Sequence, residues 1–165
     1  MGGTFANLLD AMGVTVLAFD KYKTGYAEGS VKECSLKQLY TEADVISLHL
    51  PLTLETRDYA NADFFHAFKN PIHLINTARG PILNTTDLVR ALDSGEVLSA
   101  GLDVLEYEKS SFTSLFEGPL PPALTALLER ENVLLSPHIA GWTKESFEKM
   151  GAGLAQKVLA VLKTV

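Results

Sequence analysis

Arg79, Glu108 and His138 are the residues in this chain best suited to chemistry, and each stands just past an apolar run. Arg79 lies in Ile75-Asn76-Thr77-Ala78-Arg79-Gly80-Pro81. Its planar guanidinium can grip a carboxylate with two parallel hydrogen bonds and polarise a neighbouring carbonyl. His138 lies in Ser136-Pro137-His138-Ile139-Ala140-Gly141, and an imidazole is the natural proton donor near neutral pH. Glu108 closes the run Gly101-Leu102-Asp103-Val104-Leu105-Glu106-Tyr107-Glu108. A carboxylate there could pair with His138, orient its ring and favour its protonated form. Taken one at a time, an arginine after a strand is ordinarily a surface ion-pair residue, and a Pro-His step is ordinarily a turn.

The elements that must position these residues alternate regularly. Helical spacing of Phe5, Leu8, Leu9 and Met12 ends at Gly13, and Val14 to Asp20 is a short apolar run closed by an acid. A polar turn spans Lys21 to Gly29, and a short helix is expected over Leu36 to Glu42. Asp44 to Leu50 reads as a buried strand ended by Pro51. Then follow a helix over Ala62 to Phe68, a strand over His73 to Asn76, a helix over Thr86 to Asp93 closed by Gly95, and a strand over Leu98 to Val104. The stretch from Glu106 to Glu131 is loop-like, with a helix from Pro122 to Arg130. Val133 to Leu135 is a last strand, and Lys144 to Leu162 a long amphipathic helix. Short, nearly continuous apolar strands separated by helices imply a parallel sheet covered on both faces, a doubly wound α/β domain over residues 1–165.

Gly2, an apolar helix, a strand and then Asp20 have the spacing that follows the third glycine of a dinucleotide-binding turn. An acid at the tip of the second strand can accept two hydrogen bonds from an adenosine ribose. It also repels a 2′-phosphate, which favours NAD over NADP. The first strand and the first two glycines are absent. The expectation is therefore an N-terminally truncated domain whose sheet lacks its first strand.

The runs around Arg79, Glu108 and His138, with Asp87, Leu88, Ala91, Leu92 and Gly95 between them, closely resemble the D-isomer-specific 2-hydroxyacid dehydrogenase family from Gly2 to about Glu148. The resemblance implies a Rossmann-like fold, NAD as cofactor, and hydride transfer between NAD(H) and a D-2-hydroxy acid or its 2-keto acid. It implies catalytic roles for Arg79, Glu108 and His138. It places Met1 and Gly2 at the phosphate loop, Asp20 on the ribose, and Leu50, Pro51 and Thr56 along the adenine side. Thr77 and Ala78 would offer backbone groups near the nicotinamide ribose, and Asp103 would meet the carboxamide. For Leu50 and Pro51 a plain strand end explains the residues nearly as well. The 136–143 run leans towards 3-phosphoglycerate as substrate. Two features depart from the family pattern. Lys109 follows Glu108 where proline is usual, and Lys109 to Pro122 is long and rich in Ser and Pro. Trp142 either walls the substrate pocket or packs in the core. The resemblance further implies a homodimer, and a substrate domain absent apart from the connecting last helix. Corepressors of the same family, which bind NAD and act through protein partners, are the rival reading.

With 165 residues, 47% apolar and 21% charged, the chain can bury one sizeable core. A net charge of −6 gives no reason to expect nucleic acid or an anionic membrane as partner. No apolar run approaches the ~20 residues of a membrane span, and the cytoplasm is the default expectation. The single cysteine, Cys34, excludes an intrachain disulfide and reads as a plain free thiol. Four histidines are scattered without metal-ligand spacing, so no metal is expected. His49 and His73 read as core or loop residues, His66 as a solvated helix residue.

Overall fold

Four parallel strands carry the candidate trio, and one of their faces is more deeply buried than the other. The computed structural model describes residues 2–108 and 119–162. Met1 and residues 109–118, on which the outer phosphate-loop contact and most of the long Ser/Pro-rich stretch fall, lie outside the described residues. In chain order the elements are α1 (Gly2–Ala11), β1 (Leu17–Ala18), β2 (Lys32–Glu33), α2 (Leu36–Glu42), β3 (Val45–Leu48), α3 (Ala62–His66) and β4 (Ile72–Asn76). A 3-10 turn (Gly80–Ile82) leads to α4 (Thr85–Ser94), β5 (Val97–Leu102), α5 (Pro122–Leu128), β6 (Val133–Leu135) and α6 (Lys144–Leu162).

The strands form two separate parallel sheets, β1-β2 and β3-β4-β5-β6. Among the described residues β1 and β3 do not pair, so the two sheets stay separate. Within the larger sheet, period-two alternation sends Ile46, Leu48, Ile72, Leu74, Ala100 and Leu102 to the face packed under the helices, and a register shift between Ile72 and His73 lets Val97 join them. Phe64 and Phe65 of α3, Leu88, Ala91 and Leu92 of α4, and Leu127 of α5 complete that core.

Local chemistry explains where the helices start. Ser35, Asn61 and Asn84 each cap a helix by accepting a backbone N–H two or three residues into it: Gln38, Phe64 and Asp87 respectively. Gly95 ends α4 in the left-handed conformation, at φ 80°.

The fold is the expected Rossmann-like α/β arrangement of parallel sheets flanked by helices, with the opposite face of the larger sheet the more exposed one. Val45 and Leu134 are 55% and 74% exposed, and His73 is exposed beside them. That face mixes the apolar Val45, Ile75 and Leu134 with the polar or small Ser47, His73, Ser99 and Gly101. The helix α6 forms with the expected bounds, yet none of its residues is buried. Its stripe of Phe147, Met150, Leu154 and Val158 stays at least half exposed. The strand expected over Val14 to Asp20 shrinks to two residues, and β2, built from Lys32 and Glu33, carries no apolar signal to announce it.

Candidate functional site

The described candidate side chains follow the C-terminal ends of the parallel strands, where open α/β sheets bind ligands. Arg79 follows β4, Glu108 follows β5 and His138 follows β6. Because β5 lies between β4 and β6, the loops of Arg79 and His138 are rooted roughly 10 Å apart, two strand spacings, with the loop of Glu108 between them.

His138 and Glu108 are in contact. The imidazole Nδ1 lies 2.8 Å from Glu108 Oε2, and the other carboxylate oxygen accepts from the backbone N–H of Leu105 at 2.7 Å. Glu108 therefore holds its own loop with one oxygen and the ring with the other, leaving Nε2 as the face of the imidazole turned from the carboxylate. His138 sits at φ 55°, a left-handed conformation uncommon for a residue with a Cβ. Backbone strain of this kind persists only where the surroundings over-determine it. Here Asp103 supplies the constraint. It is 5% exposed, and its Oδ1 accepts from Ser136 Oγ (2.6 Å) and Ile139 N (2.9 Å), while Oδ2 accepts from Ala140 N (3.0 Å). Three donors flanking His138 thus converge on one buried carboxylate.

Arg79 is set by a second staple. The fully buried Asn76 accepts from Ala78 N at 3.0 Å and donates to Arg79 O at 3.2 Å, closing the turn after β4. Arg79 itself is exposed, and its Nη1 donates to Ala78 O at 2.6 Å. Both backbone groups of Ala78 thereby make a hydrogen bond within the turn, and its carbonyl oxygen keeps a second lone pair. Gly80 lets this turn press on the next loop. A Cβ at Gly80 would lie 1.9 Å from the carbonyl oxygen of Leu105, a contact with backbone that no rotamer can relieve.

The residues expected along the adenosine half lie on two other loops. Asp20 stands exposed just past β1, and its Oδ1 accepts from Tyr22 N (2.8 Å) and Lys23 N (3.0 Å), which fixes the turn and leaves Oδ2 outward. Thr56 locks the loop after β3: its hydroxyl donates to Pro51 O at 2.6 Å and accepts from Thr53 N at 2.8 Å. Pro51 is exposed, whereas Leu50 packs against the core. Gly2 opens α1 so close to His49 that a Cβ would meet its ring at 3.2 Å. A helix N-terminus kept free of side-chain bulk, with an acid at the tip of β1, fits the pyrophosphate and ribose of a dinucleotide.

The other residues weighed from sequence resolve simply. Cys34 is partly buried and burial pushes its thiol pKa up, away from an activated nucleophile. His66 pairs with Glu96 on the surface, and His73 Nδ1 meets Ser99 Oγ at 2.7 Å. Trp142 is 56% exposed with its ring edge-on to Phe147, so the core alternative for it does not hold. Among the described residues no three His, Cys, Asp or Glu side chains gather as a metal site, and no helix is long and apolar enough to cross a membrane. Sequence reasoning missed the staples made by Asn76 and Ser136. For Asn76 the available signal was a polar residue at the last position of a buried strand, whereas Ser136 stands one residue past β6.

Comparison with known proteins bears on this geometry. Residues 1–140 match the model of the D-isomer specific 2-hydroxyacid dehydrogenase NAD binding domain. A D-lactate dehydrogenase of Lactiplantibacillus plantarum is 34% identical over 91% of this chain and 46% of its own length. A glyoxylate reductase of Thermofilum pendens is 36% identical over 99% of this chain and 46% of its own. The NAD-complexed D-isomer specific 2-hydroxyacid dehydrogenase of Lactobacillus delbrueckii ssp. bulgaricus superposes with a TM-score of 0.87 at 31% identity, covering 98% of this chain and 50% of that one. The chain thus spans about half the length of the curated relatives it matches.

Proposed function

From the premise that this chain belongs to the D-isomer-specific 2-hydroxyacid dehydrogenase family, as its NAD-binding domain, we propose that it carries the proton-transfer and carboxylate-holding residues of an NAD-dependent D-2-hydroxyacid dehydrogenase. The observation that carries the reading is the 2.8 Å contact of His138 with Glu108, on a loop that Asp103 clamps in a strained conformation.

Arg79 would hold the substrate carboxylate and polarise the 2-keto oxygen. His138 Nε2 would deliver the proton to that oxygen, and Glu108, against Nδ1, would keep the ring oriented. Bound NADH supplies the hydride. Asp20 would hold the adenosine ribose, Gly2 would admit the pyrophosphate at the start of α1, and Leu50, Pro51 and Thr56 would border the adenine side. Thr77 would face the nicotinamide ribose. Asp103, already committed to the His138 loop, would tie the carboxamide to the same carboxylate. The relatives' names, D-lactate dehydrogenase and glyoxylate reductase, favour a small unphosphorylated 2-keto acid and lend no support to 3-phosphoglycerate. A homodimer belongs to this proposal, supported by the apolar surface left exposed on β3, β6 and α6.

Two measurements test it. NADH should bind this chain by calorimetry and lose affinity in Asp20→Ala. Turnover of pyruvate or glyoxylate by the native protein should fall roughly 10²–10⁴-fold in His138→Ala. A variant within a fewfold of wild type would remove His138 from the reaction.

A further inference from the structure

The two loops of the adenosine half are tied together by one acidic side chain. Glu55, on the loop after β3, accepts from Lys21 Nζ with one oxygen and from the Tyr22 hydroxyl with the other, across 34 and 33 residues of sequence. Lys21 Nζ also lies 5.4 Å from the centre of the Tyr22 ring. These partners are the two residues directly after Asp20, and Tyr22 N and Lys23 N are themselves bonded to the Asp20 carboxylate.

This placement matters for the 2′ position of the ribose. A 2′-phosphate is repelled by an acid such as Asp20 but welcomed by a basic side chain nearby. Lys21 and Lys23 follow that acid closely on the same turn, so Asp20 alone is opposed by two cations. Glu55 draws the Lys21 ammonium onto the opposite loop. We propose that Glu55 is a specificity-determining residue: by holding Lys21 it keeps the site selective for a dinucleotide without a 2′-phosphate. This rests on the dinucleotide reading given above.

The effect is moderate because the pair is solvated, with the Lys21 and Glu55 side chains 61% and 45% exposed. In Glu55→Gln the NADPH affinity of the chain should rise roughly five- to twentyfold, with NADH affinity changed less than about twofold. The gain should shrink as salt is raised. In a Lys21→Met background the same Glu55→Gln change should bring little gain, which a purely structural role for Glu55 would not produce. Calorimetric titration of the four proteins with NADH and with NADPH reads all of this. An unchanged NADPH-to-NADH ratio in Glu55→Gln, or a gain that persists without Lys21, overturns the inference alone. A wild-type chain that binds neither nucleotide overturns the dinucleotide reading and the inference with it.

Discussion

Residues 45–135 and residues 2–44 lie in one chain but are held by different means. Every buried apolar residue except Val31 falls between Ile46 and Leu127 among the described residues, and several there, such as Ile72, Ile82 and Leu88, are wholly sealed. Before β3, by contrast, the helix α1 buries nothing, and the β1-β2 pair leans on polar contacts instead. Glu33 gathers the N–H groups of Gly25, Tyr26 and Ala27, Asp10 accepts from Ser30, and Lys21 reaches Glu55. The candidate catalytic trio follows strands of the dense part, with His138 three residues past its end, and the candidate ribose acid stands on the sparse part. Proton transfer needs atoms fixed to a few tenths of an ångström, which close-packed strands provide. A loop that receives one end of a large cofactor can instead be completed by the cofactor itself.

The sharpest test of this contrast is Gly80→Ala. The added methyl meets the backbone of Leu105 at 1.9 Å, so the β4 and β5 loops must part. A loss of roughly 4 kcal/mol or more is expected, beyond the usual cost of overpacking, because backbone rather than a side chain has to move. Denaturant unfolding measures it, and a near-wild-type midpoint would show that the two loops are not braced on one another. Next in size is a pair of truncations. Leu88→Ala removes a fully buried side chain from α4 and should cost about 3 kcal/mol. Leu8→Ala, on α1 with Leu8 61% exposed, should stay within roughly 0.5 kcal/mol. Equal losses in the two variants would break the comparison and place a hidden core under α1.

The same division decided what could be read from sequence. Helix α2 and strand β6 fall where the pattern put them, as does α6, because a polar cap or an unbroken apolar run marks each end. The strand over Val14 to Asp20 was overdrawn for a physical reason. Apolar residues mark a strand only when a neighbour is present to pair with, and β1 pairs with β2 over two residues alone. Lys32 and Glu33 gave no signal because their pairing is backbone work. In the candidate site, the types of Arg79, Glu108 and His138 announced their chemistry. What the sequence could not display was the support: which donors Asp103 would collect, that Asn76 would close the turn before Arg79, and that His138 would sit at positive φ. Those depend on three strands lying side by side, a fact of topology rather than of local pattern.

The smallest effect separates the two regions by pH. Hydrogen bonds from Ala27, Gly25 and Tyr26 hold the Glu33 carboxyl below its ordinary pKa, and the charged form is the one that accepts all three. A group depressed in the folded state lends its support fully above its unfolded pKa, and that support is lost as pH falls through the folded value. The 25–33 loop should therefore be intact at neutral pH and loosen only below roughly pH 4. In an NMR titration the amide signals of Gly25, Tyr26 and Ala27 should move together in that range, while those of β4 and β5 hold still. Glu33→Gln keeps an acceptor oxygen but has no proton to gain, so the shared movement should vanish in that variant. If those amides shift just as far in Glu33→Gln, the carboxylate is not what holds the loop, and the sparse region must owe its order to packing after all.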